Sequence, residues 1–233
     1  MATRLAYAAD ELRATPRFNT LSVDDGLASN GVTAMIQDNQ GFIWLGSYKG
    51  LSRHDGYSFK NFYAQEQLGA LSDDYIRALY LDATDTLWVA THRGGLNRYD
   101  KQQQTFINYK DLLSANSVRA LLGNDDGTFW VGTSAGLDLF DSQSAKVLHH
   151  FPTAGIRALL KSATGQLWLA TEAGVYLFDQ KQPQLTAVEL PGLASPSSRV
   201  LLQDDAGNIW IATTKGLFKY DITGIGKIKR HFS

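Results

Sequence analysis

A short phrase recurs five times along the chain, and it constrains the fold more than any other feature. It stands first as Gly41-Phe42-Ile43-Trp44-Leu45-Gly46-Ser47, followed by Gly50-Leu51 and Asp55. It returns as Thr86-Leu87-Trp88-Val89-Ala90-Thr91, with Gly95-Leu96 and Asp100. The third copy is Gly127-Thr128-Phe129-Trp130-Val131-Gly132-Thr133, with Gly136-Leu137 and Asp141. The fourth is Gly165-Gln166-Leu167-Trp168-Leu169-Ala170-Thr171, with Gly174-Val175 and Asp179. The fifth is Gly207-Asn208-Ile209-Trp210-Ile211-Ala212-Thr213, with Gly216-Leu217 and Asp221. The five Trp hold the same place in every copy, at separations of 44, 42, 38 and 42 residues. A fixed period of about forty residues marks a repeat architecture, either paired helices or propeller blades.

The local pattern separates the two. Runs such as Ile43-Trp44-Leu45 are short, branched or aromatic, and bounded by Gly and Asp, which is the pattern of a strand. Their apolar side chains alternate onto both faces, so the strand is buried on both. Two residues after each Trp stands a small one, Gly46, Ala90, Gly132, Ala170 or Ala212. It shares the Trp face and leaves room for the indole or for a neighbouring sheet, as a blade sandwiched between two others requires.

Each copy then divides into four strands. The first are Val32 to Ile36, Ile76 to Leu81, Val118 to Leu122, Ile156 to Leu160 and Val200 to Leu202. The Trp strand is second, and a tight Gly turn leads to the third, such as Leu96 to Tyr99. The recurring Asp starts another turn by capping backbone N–H groups. The fourth are Phe59 to Tyr63, Phe106 to Tyr109, Val147 to Phe151, Leu185 to Val188 and Ile228 to Phe232. The expected fold is an all-β propeller of five four-stranded antiparallel blades over residues 16–233, preceded by an N-terminal tail, residues 1–15. Phe18 to Leu21 is expected as a further short strand, with turn-rich Asp24-Asp25-Gly26-Leu27 after it.

The repeats resemble the two-component regulator propeller family. The resemblance rests on Gly26-Leu27-Ala28-Ser29-Asn30-Gly31-Val32, then Asp38 to Ser47, then Gly50-Leu51-Ser52-Arg53-His54-Asp55-Gly56. It covers roughly residues 18–221, with Asp85 in place of Gly and an inserted Gly94 as departures. It implies the periplasmic sensor part of an inner-membrane protein whose cytoplasmic half is a histidine kinase or a diguanylate cyclase. Relatives in gut bacteria respond to oligosaccharides, so the resemblance makes an oligosaccharide or other small molecule the expected ligand. It also implies more blades than five. Phe18–Leu21 and Ile228–Phe232 compete for one place in the fifth blade, and the chain reads as the N-terminal fragment of a longer propeller. Such an open arc would self-associate through its blade faces or edge strands. A closed five-bladed ring is the alternative.

Composition narrows the partners. Net charge is −1, which gives no general attraction to nucleic acid or an anionic membrane. The chain has no Cys, which rules out disulfides and thiolate metal sites. No apolar run reaches the length of a membrane helix, so a membrane enters only through other parts of the parent protein. Ala6-Tyr7-Ala8 resembles the end of a secretory signal, but Met1 to Leu5 lack the apolar stretch before it.

Eleven residues before each Trp stand Thr33, Arg77, Arg119, Arg157 and Arg199. In a propeller these begin the innermost strands. Converging guanidinium groups would suit a carboxylate, a phosphate or an acidic sugar; alternatively, a repeated Arg bridges each blade to the next. The turns after the Trp strands vary between copies and open on the same face, with Tyr48-Lys49, His92-Arg93, Ser134-Ala135, Glu172-Ala173 and Thr214-Lys215. Tyr75 and Asn116 lie in the inter-blade connections there, as does Pro191–Ser198. Loops on a rigid scaffold carry recognition. The candidate binding residues are therefore Arg77, Arg119, Arg157, Arg199, Tyr48, Lys49, Tyr75, His92, Arg93, Glu172 and Lys215.

No catalytic group, metal site or cofactor is expected. Gly132-Thr133-Ser134-Ala135-Gly136 matches a nucleophile elbow, but that motif needs a strand leading into a helix, and here it joins two strands. His149 and His150 point to opposite faces of one strand. Streptogramin lyases are similar propellers, and a lyase would need His92 with an acid such as Glu172. A protein-binding scaffold is the other alternative to a sensor.

Overall fold

The computed structural model describes residues 18–192, 196–221 and 227–232, the last stretch for its backbone. Five antiparallel sheets of four strands follow one another, each a simple meander. Blade 1 is β1 (Val32–Gln37), β2 (Ile43–Ser47), β3 (Gly50–His54) and β4 (Phe59–Phe62). Blade 2 is β5 (Ile76–Leu81), β6 (Leu87–Thr91), β7 (Leu96–Asp100) and β8 (Thr105–Tyr109). Blade 3 is β9 (Val118–Gly123), β10 (Thr128–Thr133), β11 (Gly136–Asp141) and β12 (Lys146–Pro152). Blade 4 is β13 (Ile156–Lys161), β14 (Leu167–Thr171), β15 (Gly174–Asp179) and β16 (Gln184–Val188). Blade 5 is β17 (Ser198–Gln203), β18 (Ile209–Thr213), β19 (Gly216–Asp221) and β20 (Lys227–Phe232).

The innermost strands pack in chain order, β1 on β5, β5 on β9, β9 on β13 and β13 on β17, with no comparable packing of β17 on β1. The blades form an open arc. Val32 and Met35 on β1 are 42% and 69% exposed, and Val200 and Leu202 on β17 are 55% and 60% exposed. The counterparts of Val32 in blades 2 to 4, Ile76, Val118 and Ile156, are fully buried. Phe18 to Leu21 is not a strand. β20 pairs with β19 and takes the outer place in blade 5. The chain instead enters blade 1 through a 3-10 turn, Val23–Asp25, capped by Ser22. Asn61 and Ser52 then anchor it, by bonds to the Gly26 carbonyl and from the Ala28 N–H. The 1–15 tail, Ala6-Tyr7-Ala8 and residues 193–195 of the Pro191–Ser198 connection lie outside the described residues.

The core is built between blades. In blades 1 to 4 the Trp ring meets, edge-on, the aromatic residue near the end of the next blade's third strand: Trp44 on Tyr99, Trp88 on Phe140, Trp130 on Phe178 and Trp168 on Tyr220. Centroid separations run from 4.8 to 5.5 Å. Such edge contacts are each worth about 1 kcal/mol beyond the area they bury. The small residue after the Trp faces the next innermost strand. A Cβ on Gly46 would lie 2.5 Å from Ile76 Cγ2, and one on Gly132 would lie 2.5 Å from Ile156 Cγ2. Where the small residue is Ala90 or Ala170, the opposing position holds the smaller Val118 or Ser198. Volume is thus traded across each interface.

Polar side chains fasten the turns and connections. Ser47, Thr91, Thr133, Thr171 and Thr213 each donate to the Gly carbonyl that opens the third strand, at 2.8 to 3.1 Å. Asp55, Asp100, Asp141 and Asp179 each accept two backbone N–H groups of the following turn. Asp85 stands where the other repeats have Gly, and holds a left-handed φ of 61°. Asp tolerates that conformation better than most residues, and its carboxylate accepts from the Asn39 N–H of blade 1. On the third strands, buried Ser52, Asn97 and Asp138 each accept a backbone N–H of the incoming connection, from Ala28, Ser72 and Ser114.

Candidate functional site

The geometry of the innermost strands follows from one backbone irregularity used five times. In each first pair of strands the register slips at the position eleven before the Trp. Two residues, flanking Thr33, Arg77, Arg119, Arg157 or Arg199, pair while the one between does not. A bulge leaves its extra residue outside the ladder and re-aims that side chain. The five side chains turn toward the axis. They line a recess of about 430 Å³ together with Val32, Tyr48 and Tyr75.

The recess is strongly cationic. Four guanidinium groups line it, and the Glu172 carboxylate beside it accepts from Arg119 Nη1 at 2.7 Å and from Arg157 Nη2 at 3.1 Å. Glu172 stands in the β14–β15 turn of blade 4, and Arg119 comes from blade 3, so this bond also joins two blades. Gly155 makes the contact possible: a Cβ there would sit 3.1 Å from Arg119 Nη1 and 3.2 Å from the Glu172 carboxyl carbon. The hydrogen bond from Arg119, opposed by partial burial and helped by the charges of Arg119 and Arg157, holds Glu172 below the usual carboxylate range. The Nε groups of Arg77, Arg119 and Arg157 are shielded from solvent and have no hydrogen-bond partner among the described residues.

One wall is aromatic. Tyr48 packs edge-on against Tyr75 at 4.8 Å, and Tyr75 packs against His92 at 5.2 Å. The Arg77 guanidinium lies over the Tyr75 ring at 4.3 Å and meets His92 Nδ1 at 3.1 Å. Tyr48 owes its place to Gly31, where a Cβ would come within 2.5 Å of its ring. Burial, followed by the charges of Arg77 and Arg93, pushes the His92 imidazole below its ordinary pKa. That favours the neutral imidazole beside Arg77. Asp73 lies behind it, accepting the Tyr75 and Arg93 backbone N–H groups.

The structure thus brings together Arg77, Arg119, Arg157, Arg199, Tyr48 and Tyr75, with His92 and Glu172 bonded to the arginines. Lys49, Arg93 and Lys215 lie in the same turns but do not line the recess. Of the repeated arginines, Arg119 ties blade 3 to blade 4, Arg157 bonds Glu172 within its own blade, and all four line the recess. Sequence reasoning passed over the buried Asp138, whose Oδ1 lies 2.6 Å from His150 Nδ1 while Oδ2 accepts from the Ser114 hydroxyl. The serine bonds the carboxylate rather than the imidazole, so this is a clamp on a connection, not a nucleophile relay. A larger groove, about 620 Å³, runs past Trp130, Phe151 and Phe178 between blades 3 and 4, away from the arginines. No three His, Asp or Glu side chains among the described residues form a metal-binding group. No described helix is long and apolar enough to cross a membrane.

The fold and recess define a β-propeller open at one side, with a cationic concavity where its described innermost strands converge. The sequence matches the two component regulator propeller family over residues 26–49, 70–93, 112–135 and 192–215. Blades 1, 2, 3 and 5 thus each carry a segment that matches the two-component regulator propeller repeat. Blade 4 falls outside the matched segments, yet its strands and Trp168 repeat the same plan. No curated protein matches the sequence.

Among solved structures, the chain resembles the extracellular domain of BT3049 from B. thetaiotaomicron, described as a hybrid two component system. The TM-score is 0.81 at 26% identity, over 92% of this chain and 32% of that one. It also resembles the extracellular domain of BT4673 from the same organism, with TM-score 0.75 and 20% identity over 88% of this chain and 31% of that one. Virginiamycin B lyase from Staphylococcus aureus shares the fold, with TM-score 0.67 and 12% identity over 86% of this chain and 69% of the lyase. The chain spans about a third of the length of the first two.

Proposed function

We propose that this propeller is a non-catalytic, extracytoplasmic ligand-sensing module of a bacterial signal-transduction protein, and that its ligand enters the axial recess. The carrying observation is the convergence of Arg77, Arg119, Arg157 and Arg199, each presented by the same bulge of a successive blade. Guanidinium forks on a rigid scaffold suit planar anionic or hydroxyl-rich ligands, and Tyr48 offers an exposed ring beside them. Likeness to extracellular domains of two-component systems supports a periplasmic or cell-surface setting. Oligosaccharides are the ligand class suggested by the resemblance to sensors of this family.

A lyase-like reading is weaker here. His92 Nδ1 meets Arg77, and Glu172 accepts from two arginines, so each is engaged by a cation rather than poised to move a proton. Calorimetric titration with a panel of neutral and acidic oligosaccharides tests the sensor reading. Binding to at least one, lost in the Arg77→Ala/Arg157→Ala double variant at unchanged melting temperature, supports it. Absence of any small-molecule response, with cross-linking of a protein to the loop face, would instead establish a scaffold.

A further inference from the structure

We infer that Glu172 is a built-in stand-in for a ligand carboxylate: it engages two of the arginines that line the recess, and a carboxylate-bearing ligand displaces it from Arg119 and Arg157. This rests on the axial recess being the ligand site, and it adds the ligand's charged group and how the empty site is kept closed.

The argument begins with the repeat. The residue that follows the Ser or Thr at the end of the second strand is Tyr48, His92, Ser134, Glu172 or Thr214. Only blade 4 places a carboxylate there. Its backbone is fixed, since the Glu172 N–H bonds the Gly155 carbonyl at 3.0 Å. The side chain alone reaches the arginines, and a single oxygen, Oε1, accepts from both. Glu172 is 43% exposed on its side chain, so it lies at the mouth rather than in the wall. A half-exposed ion pair contributes little and is readily exchanged.

The arginines are left under-used by this contact. Neither of the two bonds to Glu172 is bidentate, the form in which guanidinium binds a carboxylate best. The Nε groups of Arg77, Arg119 and Arg157 remain unpartnered among the described residues. Arg77 spends one nitrogen on the His92 imidazole, and Arg199 is exposed. An incoming carboxylate can therefore replace Glu172 on Arg157 or Arg119, while Arg77 and Arg199 take further oxygens. Glu172 swings to solvent at little cost, and Gly155 leaves space for that exchange. The same displacement undoes the bond between blades 3 and 4, so occupancy changes how those blades are tied.

The test compares glucuronate with glucose, which share a ring and differ in the carboxylate, on the full chain by calorimetry at low salt. The wild-type protein is expected to bind glucuronate and not glucose. Glu172→Gln, which keeps the shape and removes the competing charge, is expected to bind glucuronate about fivefold more tightly or better. Arg157→Gln is expected to bind it more weakly, and all three proteins should share one circular dichroism spectrum. Unchanged or weaker glucuronate binding by Glu172→Gln would overturn the stand-in role while leaving the recess as the site. Failure of glucuronate to bind either protein would overturn the carboxylate class; neutral oligosaccharides binding the wild type would still uphold the sensor reading.

Discussion

Trp88 Nε1 donates a 2.9 Å hydrogen bond to Oδ2 of Asp82, six residues earlier in the same blade. Trp44 with Asp38 and Trp210 with Asp204 repeat it at 2.8 and 2.9 Å. In blades 3 and 4 the acceptor position holds Asn124 and Ser162, and the buried indole N–H groups of Trp130 and Trp168 have no partner among the described residues. The same Asp accepts from the turn that leads into the Trp strand; Asp82 takes Thr84 and the Thr86 N–H. One carboxylate thus closes the turn and satisfies the indole.

Ser162→Asp is expected to stabilise the protein by about 1 kcal/mol, the net worth of a buried hydrogen bond. Ser162 already accepts from the Gln166 N–H, as Asp82 does from Thr86, so the longer side chain meets a prepared turn. Chemical denaturation would read the gain, which should vanish in a Trp168→Phe background. The reverse change, Asp82→Ser, should cost about 1–3 kcal/mol because it strands a buried donor.

Gly132→Ala is expected to destabilise by about 1–3 kcal/mol, since its Cβ meets Ile156 Cγ2 at 2.5 Å and Ala120 Cβ at 3.3 Å. Ile156→Val in the same chain should recover part of the loss, because the Ala90 and Val118 pair already uses that combination. Thermal melts of the two single variants and the double variant form the cycle that decides it. A purely additive double variant would show that the two positions do not trade volume.

The recess should impose a distinct pH dependence. Glu172 has a depressed pKa in the fold. Its contribution is present above the ordinary carboxylate value and is lost as pH falls through the lower folded value. His92 is also depressed, so the unfolded chain binds more protons as pH drops below about 6.5, and stability falls with it. Denaturation midpoints from pH 8 to about 4 should slope downward, less so in His92→Asn, and Glu172→Gln should flatten the acid end. Identical slopes in all three proteins would remove both groups from the account.

The exposed Val32 and Met35 at one end of the arc and Val200 and Leu202 at the other are expected to drive concentration-dependent association. Sedimentation velocity should show it, and Met35→Lys with Leu202→Lys should suppress it. A monomer at every concentration would count against this.

Much of this was legible in the chain. Trp44, Trp88, Trp130, Trp168 and Trp210 fixed the blade count, and Gly or Ala two places on fixed which side the next blade lies. The four Arg were legible as a set because position, not neighbourhood, groups them. Their bulge was not legible, since no side chain marks a slipped register. Phe18–Leu21 has strand composition but no edge to join, because β20 already holds the outer place in blade 5. Asp138 with His150 was hidden because the partners lie on different strands and no other blade repeats the pair. Glu172 was picked out for varying and as an acid that a lyase would need; its bond to Arg119 depends on Gly155, whose role no pattern reveals.

The bulges separate two inheritances within one strand. The apolar packing of blade on blade lies in the paired positions and the indole contacts. The residue set free at the axis takes no part in that packing and adds at most a polar tie: Thr33 bonds the Ile76 carbonyl of blade 2 at 2.8 Å, and Arg119 bonds Glu172 of blade 4. Positions 33, 77, 119, 157 and 199 therefore behave as sockets in a common frame. On the proposed reading, a descendant could change what it recognises by exchanging a few of these five side chains, one at a time, within the same strand frame.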